Sequence, residues 1–379
     1  MFYITVKQSP MYHQMTLEEF LFNTEVKSTC INPNMTNTRT YEIAEISERF
    51  LGTVDVRKLI AKLVQFNDSV AELKSAPRHE LYHTFHIPKK SGGLRKIDAP
   101  NAELMDALRR LKTIFEEDFK ALYHTSAFAY VKHRSTLDAV KRHQANASRW
   151  FGKYDLSNFF GSTTLEYVMH MLGMVFPFSE VLKQGIGRSA LSDALELAFL
   201  DGALPQGTPL SPLLTNIIMI PVDFKLANTL REYNHQRFVY TRYADDFLVS
   251  SRYQFSFREI EALIISTLAD FGAPFTINPG KTRYGSSAGS NWNLGVMLNK
   301  DNQITVGYKK KRQFQAMLAS YVMDRRNGTP WDKTDIRVME GYRNYYRMIE
   351  KETIDAMVKH VGDKFGVDIV ALIKTDLKI

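Results

Sequence analysis

The stretch Phe238-Val-Tyr-Thr-Arg-Tyr-Ala-Asp-Asp-Phe-Leu-Val-Ser-Ser251 decides how the chain reads. It holds the only Asp-Asp pair in the sequence, Asp245–Asp246, between two apolar and aromatic runs. Phe238–Tyr243 and Phe247–Ser251 predict a hairpin around Ala244, Asp245 and Asp246. Adjacent carboxylates repel: two unit charges about 4 Å apart cost about 4 kcal/mol at an effective dielectric of about 20. A hairpin tip brings both to one side, where a divalent cation reverses the sign of that interaction. The plain alternative is a solvated Asp-Asp turn, common in hairpins.

A third carboxylate tips the balance. Asp155 stands in Phe151-Gly-Lys-Tyr-Asp-Leu-Ser-Asn-Phe-Phe160, at the end of a strand expected over Phe151–Leu156. Three strand-end carboxylates can together hold two Mg²⁺ ions, which clamp the attacking and leaving oxygens of a phosphoryl displacement. Carboxylates with substrate phosphates and retained water suit Mg²⁺ without His or Cys. His133 and His143 read as surface or core histidines and take no role.

Around this centre the periodicity predicts an antiparallel α+β core. A mainly helical lead-in is expected over 1–80, with helices at Leu17–Phe22, Tyr41–Leu51 and Val56–Phe66. Strands follow at Tyr82–Pro88 and Leu94–Ile97 around a Gly-containing turn, then a long helix over Glu103–Leu122. Helices are expected at Leu165–Leu172 and Leu191–Phe199, and over Leu210–Leu230 with a break near Pro221. Phe257–Phe271 reads as a helix, Pro274–Asn278 and Leu294–Leu298 as strands, and the chain from Lys309 as helical.

Bulk properties bound the partners. The chain has 379 residues, 44% hydrophobic and 24% charged, which predicts a folded protein of two or three subdomains. Lys and Arg outnumber Asp and Glu, 49 to 41, and the pI is about 9.2. That surplus favours an anionic partner such as nucleic acid. Cys30 is the only cysteine, so the chain holds no internal disulfide and no two-thiolate zinc site. Met1–Gln14 does not read as a signal peptide, and apolar runs such as Leu213–Ile220 are too short to span a bilayer. A cytoplasmic protein without a membrane partner is expected.

Phe151–Phe160, Leu204-Pro-Gln-Gly-Thr-Pro-Leu-Ser-Pro212 and Tyr243–Phe247 resemble the successive palm motifs of bacterial reverse transcriptases. Ile87-Pro-Lys-Lys-Ser-Gly-Gly-Leu-Arg-Lys-Ile-Asp-Ala-Pro100 resembles their fingers motif. Pro279-Gly-Lys281 and Asn293-Leu-Gly295 resemble the later palm motifs. The resemblance runs in order over roughly residues 80–350. It implies a right-hand polymerase with a ferredoxin-like palm: an N-terminal extension over 1–80, fingers over 81–154, palm over 155–300 with a fingers insertion near 161–200, and a helical thumb over 301–379.

The resemblance also implies roles. Asp155 and Asp245 bind both ions, Asp246 is the lesser third carboxylate, and the carbonyl of Leu156 helps hold the nucleotide-side ion. Mn²⁺ is an expected substitute for Mg²⁺. Phe160 matches the steric gate that excludes a 2′-hydroxyl; of Phe159 and Phe160, one is expected in the core. Arg95 matches the fingers arginine against the incoming nucleotide, and Lys89 or Lys90 its companion lysine. Gln206 and Gly207 match the nucleotide-contacting loop. Lys281 matches a lysine that protonates the leaving pyrophosphate. Lys309, Lys310, Lys311 and Arg312 open the thumb, as a phosphate grip or as a solvated helix face.

The implied activity is RNA-directed DNA polymerisation, with an RNA template, a DNA or RNA primer and deoxynucleoside triphosphates. A dedicated non-coding RNA and an accessory protein are further partners of such systems, which serve antiphage defence or retroelements. Where retron enzymes carry Asn-Ala-x-x-His, this chain reads Asp138-Ala-Val-Lys-Arg-His143, and their thumb Val-Thr-Gly is not evident. That favours a stand-alone antiphage or abortive-infection enzyme. The alternatives are an RNA-dependent RNA polymerase, against which Phe160 speaks, and a silent nucleic-acid-binding scaffold, against which the three carboxylates speak.

Overall fold

The computed structural model describes residues 3–7, 38–42, 54–89, 92–233, 237–287, 292–293 and 296–378. Its centre is a four-stranded antiparallel sheet of β5 (Trp150–Asp155), β6 (Val239–Tyr243), β7 (Asp246–Ser251) and β8 (Arg283–Ser286), in the order β6-β7-β5-β8. Helices separate β5 from the β6–β7 hairpin and β7 from β8, so the palm has the β-α-β-β-α-β order of a ferredoxin-like core. Alternation along the strands divides their side chains. Phe247 and Val249 face the main core, while Phe151 and Leu248 join a smaller cluster with Val140, Val296 and Leu298.

Two corrections concern this sheet. The strand expected over Pro274–Asn278 reduces to one bridge, Leu156 opposite Ile277. The fourth strand is Arg283–Ser286, in a stretch whose small polar residues hide it from an apolar pattern. The expected boundary at 154/155 falls inside β5, which pairs with β7 throughout and with β8 over Trp150–Lys153.

The helix expected over Leu210–Leu230 with a break near Pro221 is the pair Ser211–Ile218 and Ile220–Glu232. They bend by 42° at Met219, with Pro221 in the first turn of the second helix, where its missing N–H costs nothing. Among the described residues no single helix is long and apolar enough to cross a membrane. This bent pair passes only when taken together, and its apolar residues belong to the main core.

The fingers hairpin pairs β3 (Tyr82–Pro88) with β4 (Leu94–Pro100), Ile87 opposite Arg95. The following helix stops at Ile114, short of the expected Leu122, and a π turn over Phe115–Phe119 buries both of its phenylalanines. Helix Val56–Ser69 packs on helix Gly185–Glu196, with Asn67 Nδ2 donating to Ala190 O at 2.9 Å. The lead-in is not simply helical. β1 (Tyr3–Lys7) and β2 (Thr38–Glu42) form an antiparallel pair, so Tyr41 and Glu42 are strand where a helix was expected. The expected helix at Leu17–Phe22 and the rest of Tyr41–Leu51 lie outside the described residues.

The C-terminal part has a core of its own, built from helices Tyr308–Arg326, Lys333–Phe365 and Ile369–Leu377 around Phe314, Leu318, Met339 and Val358. The long helix is kinked at Glu350 (φ −135°, ψ 63°). That carboxylate leaves the helix pattern to accept from Thr305 Oγ1, Val306 N and Lys311 Nζ, each within 2.9 Å. It fixes the end of the palm to the start of the helical unit.

Candidate active site

Strand register alone brings the carboxylates together. Asp155 ends β5 opposite Asp246, which begins β7, and Ala244–Asp245 is the two-residue turn between. Leu156 N donates to Asp245 O at 3.0 Å, and Asn278 N to Asp155 O at 2.7 Å, so backbone fixes both ends. Leu156 is buried beside the triad.

Asp155 is only 4% exposed, and Lys281 Nζ reaches both of its oxygens, at 3.0 and 3.2 Å. That bond is the main cause raising the ammonium's pKa. Lys153, on β5, reaches Asp246 Oδ2 at 3.0 Å. Asp246 Oδ1 is buried with no partner. Burial pushes the Asp246 carboxyl up to about 6, against the pull of Lys153. Burial, with the charge of Asp155, also raises Asp245. The site therefore concentrates negative charge in a dry setting, offset by two lysines.

Among the described residues no three carboxylate, His or Cys side chains converge as a finished metal cage. The donors still fit Mg²⁺, which uses one or two carboxylates and leaves its other positions to water and substrate phosphate. Hard oxygens, a buried orphan oxygen and carboxyls strained toward protonation are what a divalent cation relieves.

Phe159 and Phe160 lie in a turn, not on a strand, with Asn158 left-handed at φ 46°. Phe159 is buried against Phe275, while Phe160 is half-buried, its ring 5.9 Å from that of Phe159. Gln206 and Gly207 dock on the fingers: Asp98 N donates to Gln206 O at 2.8 Å. Gly207 has φ 122°, and a Cβ there would stand 2.8 Å from Asp98 O, so only glycine permits this approach.

Lys89 and Arg95 are exposed near the tip of the fingers hairpin; Lys90 lies outside the described residues, as do Leu294 and Gly295. The charges of Asp245 and Arg95 both reach the Tyr130 hydroxyl, whose pKa is raised chiefly by burial. Tyr130 is 50% exposed and left-handed at φ 59°. Sequence reasoning passed over it, and over Lys153, because neither carries a spacing signal.

The four cations of the thumb start do not act as a set. Lys311 is tied to Glu350 at 2.9 Å and serves the joint between palm and thumb. The Arg312 guanidinium lies over the Tyr308 ring at 5.7 Å. Lys309 is exposed and Lys310 half-buried. Further on, Arg325 pairs with Asp376, Arg343 with Glu340 and Arg347 with Asp355. Tyr346 is buried edge-on to Phe314, Tyr345 is half-buried and Tyr342 is exposed.

A family model described as reverse transcriptase (RNA-dependent DNA polymerase) matches residues 87–315, more than half of the chain and all of the palm strands. The chain belongs to the reverse transcriptase family. The retron Ec83 reverse transcriptase of Escherichia coli is 26% identical over 322 residues, 82% of this chain and 96% of that one. The retron Ec73 enzyme of Escherichia coli is 28% identical over 239 residues, 62% of this chain and 73% of that one. The retron Mx65 enzyme of Myxococcus xanthus is 29% identical over 254 residues, 64% and 57% respectively. All three are retron enzymes, so the departures at Asp138–His143 do not set this reverse transcriptase apart from that group. It is an RNA-directed DNA polymerase, a nucleotidyltransferase that takes an RNA template and depends on a divalent metal.

Proposed function

We propose that this polymerase extends a DNA or RNA primer with deoxynucleotides by a two-Mg²⁺ mechanism centred on Asp155, Asp245 and Asp246. The observation that carries this is the register pairing Asp155 with Asp246 across Asp245, with one buried carboxylate oxygen unpartnered. When bound, the two ions lower the pKa of the primer 3′-hydroxyl and neutralise charge on the phosphates. Asp155 and Asp245 hold them, Asp246 adds the third carboxylate, and Leu156 offers its carbonyl. Mn²⁺ serves in place of Mg²⁺.

Lys281 rests on both oxygens of Asp155 and would supply its proton to the leaving pyrophosphate once Asp155 held an ion instead. Phe160 stands under the sugar and rejects a 2′-hydroxyl by bulk. Lys89, Lys90 and Arg95 approach the triphosphate from the fingers, and Gln206 and Gly207 line the nucleotide from the palm. Lys309, Lys310 and Arg312 meet template–primer phosphates. Fingers end before Trp150, the palm runs to 300 with helices inserted near 161–200, and the thumb follows. The enzyme acts in the cytoplasm.

We further propose a retron-like setting, in which a dedicated non-coding RNA is template and an accessory protein completes an antiphage defence. The support is that the relatives matched are retron enzymes, one of them over 96% of its length. Sequencing nucleic acid that copurifies with the protein tests it. One recurrent structured RNA joined to its own complementary DNA is expected; a random sample of cellular RNA with no DNA overturns it.

A further inference from the structure

Beneath the catalytic turn lies a buried charge that the two-ion reading does not use. Arg242 is 1% exposed and paired with Asp223, both side chains fully enclosed. Its Nε donates to Asp223 Oδ1 at 2.8 Å and its Nη2 to Asp223 Oδ2 at 2.7 Å. Nη2 also donates to Asn216 Oδ1 at 2.8 Å, and Nη1 to the carbonyl of Ala244 at 3.1 Å. Tyr240 OH donates to Asp223 Oδ1 at 2.7 Å, the oxygen that also accepts from Arg242 Nε. A buried ion pair of this kind adds little stability over an apolar pair of the same size. Its value lies in the geometry it fixes.

We propose that Arg242 is a positioning residue for polymerisation, holding the Ala244–Asp245 turn so that Asp245 and Asp246 are presented together. Ala244 has φ 57°, a conformation in which a two-residue hairpin turn favours glycine at this position. Alanine stays there only if the surroundings over-determine the turn. Two bonds do so: Arg242 Nη1 on Ala244 O, and Leu156 N on Asp245 O. The guanidinium is a rigid fork, so holding Asp223 and Asn216 fixes the direction of the Nη1 donor. A lysine ammonium at position 242 retains the charge but lacks the fork that spans Asp223, Asn216 and Ala244 together.

The same residue ties the turn to the strip that leads to Tyr130. Arg242 N donates to Ser126 O at 2.7 Å, and Phe128 N to Arg242 O at 2.9 Å. Asn216, oriented by Arg242, donates from Nδ2 to Ala129 O at 3.1 Å. The Ala244–Asp245 turn and the strip 126–129 therefore share one anchor. The proposal rests on the reading of Asp155, Asp245 and Asp246 as the ion-holding carboxylates.

The test compares full-length wild type with Arg242→Lys and with Tyr240→Phe, which weakens the same cluster without touching the turn. Amide hydrogen exchange of the peptide over 243–247, and Mn²⁺ binding followed by electron paramagnetic resonance, are read beside melting temperature. Arg242→Lys is expected to speed exchange at the turn and weaken Mn²⁺ binding, each about ten-fold. Tyr240→Phe lowers the melting temperature and moves neither. Should Arg242→Lys fail to fold, Asn216→Ser is expected to speed exchange about three-fold, both at the turn and at 129–131. The proposal is overturned if exchange and Mn²⁺ binding follow melting temperature alike in all variants. If wild type and Tyr240→Phe bind no Mn²⁺ at all, the carboxylate reading itself fails and takes the proposal with it.

Discussion

Acid should loosen this enzyme through one buried histidine. His143 is fully buried on helix Thr136–Ala145, with Nδ1 2.6 Å from Ser250 Oγ and Nε2 2.8 Å from Thr241 Oγ1. It thus clamps β7 and β6 behind the catalytic hairpin. Burial, helped by the charge of Arg142, pushes its pKa from 6.5 down to about 3. The folded ring stays neutral where the unfolded chain takes up a proton. Its stabilisation is therefore complete above pH 6.5 and is lost as pH falls toward 3, by about 1.4 kcal/mol per unit, or about 2.5 kcal/mol between pH 7 and 4.5. In His143→Gln this loss disappears. At pH 7 the variant should be less stable by about 2 kcal/mol, because the Thr241 hydroxyl loses the ring while Ser250 keeps Ser148. The gap between wild type and variant should close by pH 4.5, since all other titrations are shared. Urea unfolding followed by circular dichroism at pH 7, 5.5 and 4.5 measures it. A gap that stays constant with pH would refute the reasoning.

Truncating Phe160 to Val should raise ribonucleotide use relative to deoxynucleotide use, read as the ratio of kcat/KM values; an unchanged ratio in a folded variant makes the ring core and not gate. At the thumb, Lys309→Gln with Arg312→Gln should flatten the slope of log affinity against log salt by up to about 0.9 for each phosphate left without its cation, whatever the template sequence. Lys311→Gln should instead lower the melting temperature, because it strips Glu350 of its ionic partner, and an effect of Lys311→Gln on salt slope alone would contradict that division.

The sequence carried the centre of this molecule and lost its edges. The β6–β7 hairpin, β5 and the carboxylate triad were legible because apolar alternation and strand-end aspartates are local signals. β8 was missed since Arg283-Tyr-Gly-Ser286 has a single apolar side chain, Tyr284, and shows itself as a strand only by pairing with β5. His143 and Arg242 were invisible for another reason. What makes them matter is total burial with hydroxyls, Asp223 and a backbone carbonyl brought from elements distant in sequence. The pairing of Lys311 was not legible because a run of cations looks uniform in sequence, while the kink at Glu350 selects one of them.

Asp155, Asp245 and Asp246 are proposed to perform the chemistry. Single-turnover extension of a primed RNA template with deoxynucleotides and Mg²⁺, at saturating template, tests it most directly. Asp155→Asn and Asp245→Asn should each slow the step about a thousand-fold or more while template affinity and melting temperature hold. Wild-type rates in either variant would contradict the account.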